Sequence, residues 1–242
     1  QVVLAKNAEG WKDILKLVSQ SNDPSHFYYK PRIDFSHLQE MASRGNLISF
    51  SGHLGSMLGN FSLNEKDDKV VSHKALELQD VFGKGNFFIE IQLMDGENNP
   101  KSAEAAYRLR EISKQTKIPC VATPDAHYPT KEAAGDQRVL LCTALKKTIG
   151  QVHRELKEGK SRSLKSFFSS DNFHIPSHEE MSSFHTDEEL ANTNLIADMC
   201  EKYPILGPPS PPKFPCPKGF SPKEYLRHLC KIGWADKMRH IK

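Results

Sequence analysis

IPCVATPDAHYPTKEAAGDQRVLLC, residues 118–142, decides the fold. A short apolar run, IPCVAT, gives way at Pro124 to a loop carrying Asp125 and His127, and the segment from Lys131 to Leu145 then has helical spacing. The same alternation extends back toward the first residue. Ser102 to Thr116 predicts a helix with Ala105, Leu109 and Ile112 on one face, and NFFIEIQL (86–93) predicts a strand. Ser72 to Phe82 predicts another helix, and NLISFS (46–51) a buried strand. QVVLAK (1–6) is β-branched from its start, and Asn7 is a suitable N-cap for a helix whose apolar positions are Trp11, Ile14, Leu15 and Val18. Strand and helix in turn imply an α/β protein of parallel βαβ units, in a barrel or a doubly wound sheet. Both architectures place their chemistry beyond the carboxyl ends of the strands. His53, Asp95, Asp125 and His127 fall there.

Composition narrows the class. The 242 residues are 38% hydrophobic and 26% charged, and contain no apolar run long enough to cross a bilayer, so no membrane partner is expected. A net charge of +3 permits contact with DNA without arguing for it. The five cysteines (Cys120, Cys142, Cys200, Cys216, Cys230) form no CxxC pair and lie mostly in apolar segments, which predicts reduced, core-packed thiols and a cytoplasmic setting. The chain opens inside a strand, without an initiator Met or a signal peptide, which leads to the expectation of a fragment. After Gly150 the texture changes. Lys157 to Ser170 reads as a solvated helix end or loop, and Asp187 to Cys200 resumes helical spacing through Leu190, Leu195 and Ile196. The Pro-rich stretch Leu206 to Pro222 predicts an extended connector, leaving a tail from Lys223 with one helix's worth of apolar positions.

A carboxylate and an imidazole at i and i+2 around a strand end offer O and N ligands suited to Zn, Mn or Fe. Asp125 and His127 have that spacing, and His53 at the end of a neighbouring strand adds a third donor. The alternative is a satisfied surface Asp with a capping or core His. The other histidines, His26, His37, His73, His153 and His185 among them, are read as solvated. In FYYKPR (27–32), Lys30 and Arg32 are candidates to hold a phosphate beside two tyrosines, against a reading in which Pro31 fixes a loop and the tyrosines pack on the rim. The basic cluster Lys157, Lys160, Arg162 and Lys165 suits either a DNA backbone or a solvated loop.

A collinear set of segments carries a resemblance over nearly the whole chain: VVLAKNAEGWKDILKLVS, FYYKPRIDFSHL, NLISFSGHLGSML, FFIEIQ, IPCVATPDAHY with DQRVLLC, FHIPSHEEM and KFPCPKGFSPKEYLRHLC. The chain resembles the PHP (polymerase and histidinol phosphatase) domain of the alpha subunit of bacterial, C-family DNA polymerase III. That resemblance implies a distorted (α/β)7 barrel, incomplete at its N-terminus, over residues 1–205. A Pro-rich connector over 206–222 and a helix starting the polymerase region over 223–242 follow. It further implies DNA replication, with DNA and the remaining polymerase polypeptide or replisome subunits such as a proofreading exonuclease as partners. Complete domains of this kind hold Mn, Zn or Fe and hydrolyse phosphoesters, in some polymerases as a 3′→5′ exonuclease, while the parent polymerase uses Mg. In others the domain has lost its ligands and serves as a scaffold.

By motif, His53 resembles a ligand position where other members carry Cys or a non-ligand, and Asp125 with His127 resemble the family's last ligand pair. The family's earlier ligands, including an HxH motif, have no counterpart in the sequence from Gln1 onward. Stable sites need three or four protein ligands per metal. The expectation is therefore a chain that by itself is metal-poor, catalytically silent and unable to polymerise DNA. A noncatalytic docking module and a free-standing PHP phosphoesterase are the rival readings. KFPCPKGFSPKEYLRHLC argues against the second, because it resembles the polymerase linker.

Overall fold

The apolar runs become strands because β-branched and aromatic residues fit a pleated surface covered on both faces. In the computed structural model, which describes residues 1–161, 164–209 and 211–239, they form one four-stranded sheet of order β1-β2-β3-β4. The strands are β1 (Val2–Ala5), β2 (Leu47–Phe50), β3 (Phe87–Ile91) and β4 (Cys120–Ala122). β2–β3 and β3–β4 are parallel, as the alternation predicts. β1 departs from it, pairing antiparallel with β2 from Val2↔Phe50 to Ala5↔Leu47. The connection from β1 to β2 carries two helices, α1 (Ala8–Ser21) and α2 (Phe35–Ala42), and returns the chain beside β1 in the opposite direction.

Helices α3 (Met57–Asn64) and α4 (Asp68–Phe82) link β2 to β3, and α5 (Pro100–Thr116) links β3 to β4. Phe87, Ile89 and Ile91 alternate into a core shared with Val71, Leu78, Phe82, Leu109 and Ile112 of α4 and α5. Ile48, Phe88 and Val121 point to the opposite face, where Ile196 and Met199 cover them. Beyond β4 come a 3-10 turn, Lys131–Ala133, and then α6 (Ala134–Ala144), α7 (Ile149–Lys157), α8 (Lys165–Ser169), α9 (His178–Ser182) and α10 (Asp187–Asp198). Capping boxes at Thr148, Ser177 and Thr186 start α7, α9 and α10.

The Asn7 side chain caps α1 by accepting from the Gly10 N–H at 3.0 Å, as expected. The buried face of α1 differs from the predicted one: Gly10, Asp13 and Leu17 are inside, while Leu15 and Val18 are exposed. Gly10 sets this rotation, because a Cβ there would lie 2.3 Å from the Asn46 carbonyl oxygen. The solvated helix-end reading holds for Lys157 to Lys160, exposed at the end of α7, but is corrected further on, since Lys165–Ser169 is helical and Ser170 is buried. Leu195 is likewise exposed, and Ile196 carries the apolar contact of α10.

The chain divides into two compact units, Gln1–Tyr203 and Pro204–Lys242. In the second, residues 204–209 and 211–221 form no helix or strand, and α11 (Pro222–Arg239) starts at a Ser221 hydroxyl hydrogen-bonded to Glu224 at 2.6 Å. Leu226, Leu229, Ile232 and Trp234 of α11 are exposed. All five cysteines are free, but only Cys120 and Cys142 are buried, and Cys230 is exposed, so the core reading fails for the tail. Among the described residues no helix is long and apolar enough to cross a membrane.

Candidate functional site

The carboxyl ends of β2, β3 and β4 open onto a cleft of about 450 Å³ whose walls include His53, Gln92, Asp95, Lys101, Asp125 and Phe173. Each side chain arrives there by local necessity. After β2 the chain turns at Gly52, whose φ of +86° favours glycine, and exposes His53 before Ser56 caps α3. The His53 Nδ1 accepts a hydrogen bond from the Gly55 N–H at 2.8 Å. A Cβ on Gly55 would meet the His53 Cε1 at 2.7 Å, so the ring lies directly over that glycine.

Asp95, past the end of β3, organises the facing loop. It accepts from the Asn98 Nδ2 at 3.0 Å, from the Asn172 Nδ2 at 3.1 Å and from the Ser170 hydroxyl. Burial pushes its carboxyl up, but the hydrogen bonds from Ser170, Asn98 and Asn172 outweigh that and hold it below the ordinary aspartate value. Past the end of β4, the His127 Nε2 lies 3.2 Å from the Asp125 Oδ1. The His127 backbone N–H donates to the Phe173 carbonyl at 2.7 Å, and its ring stands edge-on to Phe167 and Phe173, with centroids 4.8 and 5.7 Å away.

The structure thus brings His53 and Asp125 to one cleft and pairs Asp125 with His127, but His127 is not among the residues that line it. Lys30 and Arg32 do not line it either. Both are exposed, and the Arg32 guanidinium sits 5.2 Å from the centroid of the Tyr28 ring. Tyr28 and Tyr29 are exposed instead of packed on a rim. Of the basic cluster, Lys165 lines the cleft, Lys160 pairs with Glu158 at 2.8 Å, and Arg162 lies outside the described residues. His185 is buried against Glu189 at 3.2 Å, which overturns its solvated reading.

Residues 1–93 match the PHP domain family. That stretch is similar to PHP domains. Nearly the whole chain is similar to proteins named DNA polymerase III subunit alpha. It is 33% identical to that of Treponema pallidum over 98% of the chain, 32% to that of Thermus aquaticus over 96%, and 31% to that of Borreliella burgdorferi over 99%. The chain spans about a fifth of the length of these relatives, 19%, 18% and 20% respectively.

PHP domains are generally metal-dependent, which puts a demand on the donors at this cleft. Among the described residues, no group of three or more His, Cys, Asp or Glu lies close enough to hold a metal ion. His53 has one nitrogen engaged by Gly55, and Asp125 is engaged by His127. These residues do not by themselves make a PHP metal centre.

One acidic residue escaped the sequence reading. Glu90, inside β3, is buried, and its Oε1 accepts from the Thr123 hydroxyl at 2.6 Å and the Gln92 Nε2 at 3.0 Å. Its Oε2 is buried with no hydrogen-bond partner. The available signal was an acid in the middle of an otherwise apolar strand, FFIEI.

Proposed function

We propose that this chain is the PHP part of a DNA polymerase III alpha subunit and acts in DNA replication as a portion of that larger polymerase. The observation that carries the proposal is similarity to alpha subunits along almost the full chain, 98% of it for the Treponema pallidum protein. In this reading residues 1–205 contribute to a distorted (α/β)7 barrel, 206–222 form a connector, and 223–242 begin the polymerase region. DNA and other replisome subunits, such as a proofreading exonuclease, are the partners.

Within that role the donor set favours a scaffold over a hydrolytic module. A metal-dependent phosphoesterase or 3′→5′ exonuclease centre needs more ligands than His53, Asp125 and His127 supply, so metals of the Mn, Zn or Fe kind require residues beyond these. The scaffold reading needs only the packed sheet and helices.

The test is a primer-extension and 3′→5′ nuclease assay on the polypeptide that carries the chain in its cell. Extension that collapses when the Gln1–Tyr203 unit is removed, without a metal-dependent nuclease of its own, supports the scaffold reading. A Mn-dependent nuclease abolished by Asp125→Ala shows the hydrolytic reading to be correct. Full extension without the unit overturns the assignment to replication.

A further inference from the structure

The Gly55 backbone N–H has only one role in a hydrogen bond, that of donor, so at 2.8 Å the His53 Nδ1 must present its lone pair. In the neutral imidazole the proton then sits on Nε2, which becomes an N–H donor with no lone pair in the ring plane. Metal-bound histidines show the reverse pattern: one nitrogen binds the ion while the other donates its N–H to an acceptor, which fixes the tautomer and raises ligand basicity. His53 has neither feature. One nitrogen is filled by a donor and the other carries the proton.

The clamp is built into the backbone. The ring covers Gly55, where any Cβ would strike Cε1 at 2.7 Å. The next glycine, Gly59 in the first turn of α3, would place a Cβ 2.5 Å from the His53 carbonyl oxygen. An acceptor is at hand on the same wall. His53, Gln92 and the buried Glu90 line a small void of about 20 Å³, enough for one water, and the Glu90 Oε2 there has no partner.

We infer that His53 is a hydrogen-bond donor in this chain, its Nε2–H serving an acceptor oxygen such as a water shared with Glu90, and that it is not a ligand for the divalent metal the PHP family implies. The inference rests on the geometry of the ring and not on the role in replication. It makes the histidine at this strand end a polar clamp that holds the β2–α3 turn at the mouth of the cleft.

Long-range ¹H–¹⁵N correlation NMR on the full chain tests it, with the His53 signals assigned by their loss in His53→Gln. The Nε2–H tautomer is expected, unchanged on adding Zn²⁺, with Zn²⁺ affinity in His53→Gln within about twofold of the parent chain. Gly55→Ala, which displaces the ring, should abolish the single tautomer. An Nδ1–H tautomer, a zinc-induced change at the His53 nitrogens, or a Zn²⁺ affinity roughly tenfold or more weaker in His53→Gln overturns the inference. So does a tautomer untouched by Gly55→Ala.

Discussion

Arg110 grips Glu189 with two parallel hydrogen bonds, Nε to Oε1 at 2.6 Å and Nη2 to Oε2 at 2.8 Å, and so ties α5 to α10 across the buried edge of β4. The same Nη2 reaches the Phe184 carbonyl at 2.8 Å, and the Asn192 Nδ2 donates to the Cys120 carbonyl at 2.7 Å. Such a fork is stronger than a single charged contact and fixes orientation. Removing Arg110 leaves the buried Glu189 carboxylate with only His185 and the Thr186 N–H as partners, so Arg110→Ala should destabilise the fold by up to roughly 3–5 kcal/mol. Urea denaturation followed by circular dichroism checks this, and a loss below about 1 kcal/mol, the worth of a surface pair, would show that the ion pair does not hold the two helices together.

Glu189 also sets an acid limit. Burial raises its carboxyl, but hydrogen bonds from His185 and Arg110, the Thr186 N–H and the nearby guanidinium charge together bring it from 4.5 down to about 2. Because the folded value is depressed, this stabilisation is fully present above pH 4.5 and is lost as pH falls from 4.5 toward 2. Glu189→Gln should be less stable than the parent at neutral pH and show a flatter loss of stability across the acid window. Parallel acid limbs for the two proteins would refute this.

The rotation of α1 depends on one hydrogen atom. Gly10→Ala forces a Cβ against the Asn46 carbonyl oxygen at 2.3 Å and the Ala5 Cα at 3.3 Å, and should cost roughly 1–3 kcal/mol. Gly135→Ala is the matched control: no atom lies within 4 Å of its Cβ, and the change should gain a few tenths to about 1 kcal/mol by restricting the unfolded chain. Thermal melts of the two variants should move in opposite directions.

Asp95 is the clasp of the loop across the cleft. Asp95→Ala removes the acceptor for Ser170, Asn172 and Asn98. Of these donors only the Ser170 hydroxyl is buried, and leaving it unpaired costs about 1–3 kcal/mol. Hydrogen exchange at Asn172 and Asn98 should therefore speed up by roughly tenfold or more, while exchange in β3 stays slow. Equal protection in both proteins would mean that the loop is held by other contacts.

Metal content gives a direct reading of the donor arithmetic. Elemental mass spectrometry on chain purified without added metal should find far less than one Zn, Mn or Fe per molecule, with no difference in an Asp125→Ala/His127→Ala variant. Stoichiometric metal that the double variant loses would show that residues beyond these complete a site.

Periodicity made much of the fold legible. The four strands and the apolar face of α5 follow from local patterning, because a both-faces-buried strand and a 3.6-residue stripe are one-dimensional signals. The reversal of β1 was not legible, since strand direction is set by the path of the whole connection and by the register of Val2–Ala5 on Leu47–Phe50, far apart in sequence. Nor was the choice of Leu17 over Leu15 and Val18 as the buried residue of α1, which is made by a contact between Gly10 and Asn46, far apart in sequence. At the site, the placement of His53 and Asp125 at strand ends was readable from order alone. The engagement of His53 by Gly55, the pairing of His127 with Asp125 and the burial of His185 were not, because burial and hydrogen-bond direction are properties of the assembled loops.

The first strand carries a consequence for biosynthesis. The Ala5 carbonyl accepts from the Tyr203 hydroxyl across a sequence separation of 198 residues, at 3.5 Å, and the neighbouring Lys6 carbonyl accepts from the Glu201 N–H at 2.7 Å. A ribosome adding about 5–20 residues per second needs on the order of 10–40 s between making the two halves of that contact. During that interval the nascent chain holds a sheet whose outer strand has not yet met its last partners. Translation speed through the middle of the message thus becomes a determinant of how long this edge stays open to chaperones and to strands of other nascent chains.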